Sequence, residues 1–74
     1  MADRINEHDM VVLLRDLPEQ SLVAGDIGCA VFVHGDGEAF EVEFDHPAGT
    51  PRDLVVTINA GDLLKLRNVE RLAG

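Results

Sequence analysis

The chain has no tryptophan, no tyrosine and a single cysteine, Cys29. One thiol cannot close an internal disulfide, and it rules out the cysteine-rich zinc sites that hold many small domains together. A chain without disulfides is expected in a reducing compartment, the cytoplasm. Basic residues are also scarce, with six Lys and Arg against fourteen Asp and Glu for a formal charge of −8. This balance repels phosphate backbones and anionic membranes and steers basic protein surfaces toward the chain. Arg4, Arg15, Arg52, Lys65, Arg67 and Arg71 are scattered, too few for a nucleic-acid groove. No apolar run approaches the roughly 18 residues of a membrane span, and the polar start Met1 to His8 carries no signal-like apolar segment, so no membrane partner is expected. At 74 residues the chain forms one domain, 1–74, whose small core leaves little room for a deep catalytic cleft.

What is present reads as short strands. Cys29 to His34 and Ala39 to Phe44 form two strands of a hairpin around Gly35-Asp36-Gly37, where glycine accepts positive φ at least cost. Met10 to Leu14 is a first strand, because its β-branched pair and the following Leu17-Pro18 favour extended backbone over helix. Glu19 to Asp26 makes a wide turn, and Gly25 and Gly28 let the chain bend into the second strand. The Pro- and Gly-punctuated stretch Asp45 to Arg52 breaks the sheet. Asp53 to Ile58 is the fourth strand, Asn59 to Asp62 holds a short helical turn, and Leu63 to Arg67 is the fifth strand. A loosely held polar arm over 1–9 and a mobile tail over 68–74 flank an all-β domain of five strands, a number that suits a small closed barrel.

Alternation assigns the faces of these strands. Phe40, Val42 and Phe44 point inward and Glu41 and Glu43 outward. The same rule puts Cys29, Val31 and Val33 inward and Ala30, Phe32 and His34 outward, and it places Val11 and Leu13 inward with Met10, Val12 and Leu14 outward. Met10, Leu14 and Phe32 then form an apolar outer patch, and a contiguous patch on a small domain marks an interface. Glu41, Glu43 and Asp45 supply its charged rim, and His34 belongs to the same expected interface.

Other constellations are weak. His8, His34 and His46 lie on an arm, a strand end and a loop, with no spacing that fixes two ligands on one element, so no metal site is expected. The carboxylates of Asp36, Glu38, Glu41 and Glu43 sit at solvated positions, whereas general acid catalysis needs one raised by burial. Cys29 lies among apolar neighbours, as a small hydrophobe does rather than a nucleophile. Gly25-Asp26-Ile27-Gly28 precedes a strand, not the helix that a phosphate loop requires. The residues therefore predict neither an enzyme nor a bound cofactor.

Arg15-Asp16-Leu17-Pro18-Glu19, Leu22, Gly25-Asp26-Ile27-Gly28 and Asp36 to Phe44, followed by Val55-Val56-Thr57 and Asp62-Leu63, resemble the short bacterial proteins catalogued as domain of unknown function 4926, over roughly Asp9 to Leu66. The chain departs from that pattern at Cys29, where threonine or valine is usual, at Phe32, where a polar residue or histidine is common, and in its longer tail. The resemblance implies an SH3-like barrel, similar to KOW-type domains and to the β-subunit of nitrile hydratase. It supplies no catalytic residues. It implies a stand-alone adaptor or antitoxin-like module that binds a protein or itself, homodimerisation included. The alternatives are an accessory or metallochaperone-like subunit of a metalloenzyme and a KOW-like nucleic-acid contact domain.

Overall fold

The computed structural model describes residues 4–45 and 53–66. It is all-β: β1 (Met10–Leu13), β2 (Ile27–His34), β3 (Ala39–Phe44), β4 (Leu54–Asn59) and β5 (Leu63–Lys65), with single 3-10 turns at Pro18–Gln20 and Ala60–Asp62. The strands form one antiparallel sheet in the order β4-β3-β2-β1-β5. Closure into a barrel is not found. β4 and β5 end the order without pairing to each other among the described residues, because the 3-10 turn between them carries the chain to β1, which pairs with all three residues of β5.

One face of the sheet holds the core. Val11, Leu13, Phe40, Val42 and Phe44 are buried as alternation requires, joined by Leu22 from the β1–β2 loop, Ile58 and Leu63. The β2–β3 turn follows its glycines: Gly35 and Gly37 have φ of 58° and 94°, and the Gly37 and Glu38 amides both donate to the His34 carbonyl. The helical turn before the last strand also lies where the turn residues place it.

β2 departs from simple alternation. Cys29 pairs with Glu43 and Ala30 with Val42, but Phe32 pairs with Glu41, so Val31 is the extra residue of a β-bulge. The bulge changes the phase of the strand. Gly28 and Ala30 therefore face the core, Ala30 with 0% exposure, while Cys29 turns to the outer face, the reverse of the expected assignment. Past the bulge Val33 packs against the core and Phe32 faces out, as expected. Gly28 has a packing role of its own: a Cβ there would lie 2.7 Å from Val42 Cγ1 and 2.8 Å from the Glu43 carbonyl oxygen.

Residues 4–9 are not a loose arm. Ile5 belongs to the core, the His8 amide donates to the Ala30 carbonyl, and the Ala30 amide donates to Asp9. A turn locks this segment, with the Asn6 amide on Asp9 Oδ2 at 2.7 Å and the Asp9 amide on the Asn6 carbonyl at 3.1 Å. Lys65 then ties it to β5 through Asp9 Oδ2 at 3.3 Å and the Arg4 carbonyl at 3.4 Å. The expected tail over 68–74, and most of the loop that carries His46, lie outside the described residues.

Two substitutions test this packing. Ile5→Ala should lower the unfolding free energy by about 2 kcal/mol, as deletion of a core side chain does; a loss near zero in urea denaturation would return the segment to a loose arm. Gly28→Ala should cost about 2 kcal/mol by overpacking, seen as a lower urea midpoint with unchanged slope.

Candidate functional site

The outer face of the sheet collects the exposed apolar side chains. Register places Leu64, Val12 and Ile27 in one row across β5, β1 and β2. Met10, Cys29, Glu43 and Val55 form the next row across β1 to β4, and Phe32, Glu41 and Thr57 the third across β2 to β4. Met10, Ile27, Phe32, Val55 and Leu64 are all exposed at these outward positions, and Leu14 is exposed one residue beyond β1. Only Val23, among the large apolar side chains exposed in the described residues, lies elsewhere, in the β1–β2 loop.

A polar cluster crosses the far end of this face. His34 Nε2 lies 2.6 Å from Glu41 Oε2, and the Thr57 hydroxyl donates to the same oxygen at 2.6 Å. The Phe32 ring meets the His34 ring edge-on with centroids 5.0 Å apart. The Thr57 hydrogen bond and then the His34 contact hold the Glu41 carboxyl below its ordinary value. Both partners converge on one carboxylate oxygen, so the cluster ties together side chains of β2, β3 and β4.

Cys29 sits between Met10 and Glu43, half-buried. Burial first, then the negative charges of Glu43, Asp9 and Asp45, push its thiol above the ordinary value, which favours the protonated form. No group of three His, Cys, Asp or Glu side chains among the described residues is arranged to hold a metal ion. A hollow of about 300 Å³ lies on the β1–β2 loop, lined by Arg15 to Gln20. Its walls come from one consecutive segment, so it is the concave side of a loop rather than a cleft between elements. No helix among the described residues is long and apolar enough to cross a membrane.

Residues 7–65 match the model of a family described as Domain of unknown function (DUF4926). The chain belongs to that family. No curated protein and no solved structure matches it. The family match runs from the turn before β1 to the last residue of β5, so it contains all three rows of the outer face.

In this member of the family the sequence-derived candidates share one face: Met10, Phe32, Glu41 and Glu43 by register, His34 by its contact with Glu41, and Leu14 by following β1. Sequence reasoning missed Ile27, Val55, Leu64 and Thr57. Parity along β4 and β5 could have found three of them. Ile27 could not be found that way, because its uniformly apolar strand has a bulge that alternation does not report.

Since the folded Glu41 carboxyl ionises below its ordinary value, its contacts stabilise the fold above the ordinary carboxylate range, and that contribution is lost as pH falls through the lowered value. Thr57→Val should raise the Glu41 titration midpoint toward the ordinary value and reduce the acid-side loss of stability. A carboxyl-carbon NMR titration checks it, and an unmoved midpoint would assign the lowering to His34 alone.

Proposed function

We propose that this domain is a non-catalytic protein-docking module, an adaptor in the broad sense that includes antitoxin-like partners, and that the outer face of its sheet is the docking surface. One observation carries the reading: six large exposed apolar side chains, Met10, Leu14, Ile27, Phe32, Val55 and Leu64, gather on or beside one sheet face. Each is between 43% and 53% exposed, and apolar side chains gathered on one face mark an interaction surface. Scattered single hydrophobes are ordinary on a surface, but a gathered set is costly in water unless something covers it. The polar rim of His34, Glu41 and Glu43 completes the usual anatomy of an interface. A cytoplasmic setting agrees with the single free thiol.

Phe32 is the anchor to test, since it is an exposed aromatic side chain at the middle strand and its ring packs on His34. With wild-type and Phe32→Glu chains as parallel baits in source-cell extract, the wild type should retain a protein that the variant loses, while both unfold at the same temperature. Identical retained proteins would overturn the docking reading at this face. A variant that fails to fold would show that Phe32 has a core role instead.

A further inference from the structure

Within the outer face one carboxylate is placed unlike the others. Glu41 has its oxygen satisfied by His34 and Thr57. Glu43, two residues along the same strand, is half-buried in a row between Cys29 and Val55 and has neither a hydrogen-bond donor nor a cation on its carboxylate among the described residues. The described cations are engaged elsewhere: Arg4 with the Asp36 carbonyl at 3.4 Å, Arg15 with Asp62 at 3.6 Å, and Lys65 with Asp9 at 3.3 Å. The same row lies in an acidic stretch of β3, with Glu41 two residues before Glu43 and Asp45 two residues after it.

We infer that the outer face takes a basic partner protein, one that sets a Lys or Arg side chain against Glu43 while its own apolar residues cover Met10, Ile27, Val55 and Phe32. This rests on the docking reading above and names the chemistry of its occupant. A carboxylate flanked by apolar side chains loses water when the face is covered, and the loss is offset only if the partner supplies a positive charge. A second copy of this chain supplies the wrong sign. An isologous dimer would bring the same acidic row from both copies into one interface, between chains that each carry a formal charge of −8. The same charge speeds the encounter with a basic surface and makes it sensitive to salt.

The test uses the full chain labelled with nitrogen-15 and three short synthetic peptides of identical length: alternating Leu and Lys, alternating Leu and Glu, and alternating Leu and Gln. The Leu-Lys peptide should shift the amides of Met10, Cys29, Glu43 and Val55 saturably, with the affinity falling as salt is raised, and the other two should not. Glu43→Gln should weaken that binding about five-fold, the scale of one half-exposed ion pair, while Glu19→Gln on the distant 3-10 turn leaves it unchanged. The spectrum of each variant reports its folding directly. Equal binding of all three peptides at this face would overturn the basic partner and leave the docking reading intact. Shifts confined to other surfaces would overturn both. Formation of a dimer at micromolar concentration with the same amides shifted would make a second copy the occupant and overturn the basic partner alone.

Discussion

β2 is the strand on which the rest of the sheet depends, and the bulge at Val31 is what allows it to serve its neighbours. It pairs with β1 along its first half and with β3 along nearly its whole length, and the Ala30 backbone also receives the 4–9 segment. Its two halves meet different demands. The first must lie close to Val42 and Phe44, which requires small inward residues, and Gly28 and Ala30 are the smallest available. The second half must keep Val33 with Phe40 under the hairpin. An unbroken alternation would have aimed Cys29 and Val31 into that tight space. One extra residue resolves the conflict by moving the phase between the halves.

The same shift organises the outer face. It sets Cys29 beside Met10 and Glu43, and Phe32 opposite Glu41, so apolar side chains from β1 and β2 run into the carboxylates of β3 without interruption. Core packing and surface chemistry are thus two sides of one backbone feature. The outer face belongs to strands whose inner face is held by the buried core, and the 4–9 segment and Lys65 tie down its β5 edge. A surface fixed this way is preorganised, which lowers the ordering cost of an association.

The polar cluster of His34, Glu41 and Thr57 joins β2, β3 and β4 through one carboxylate. Both contacts reach one carboxylate oxygen of Glu41, whereas the nearby Glu43 carboxylate has no such partner among the described residues. Two glutamates that look equivalent along the strand therefore differ in what they can offer. That distinction is invisible in the alternation of β3, because it depends on which residues of β2 and β4 lie opposite.

Much was legible in the residues themselves. The five strands, the glycine turn and the 3-10 turn before β5 follow from alternation and from turn chemistry, which act over neighbouring positions. Val11, Leu13, Phe40, Val42 and Phe44 were readable as core for the same reason, and Met10 and Phe32 as surface. Family membership was legible as well, since it rests on local motifs. The bulge, the inward Ala30, the anchoring of Ile5 and the open order of the sheet were decided only by tertiary structure. Each depends on which distant strand lies opposite and how much space it leaves, and a uniformly apolar run such as Ile27 to Val33 carries no preference between its two faces until its neighbours are in place.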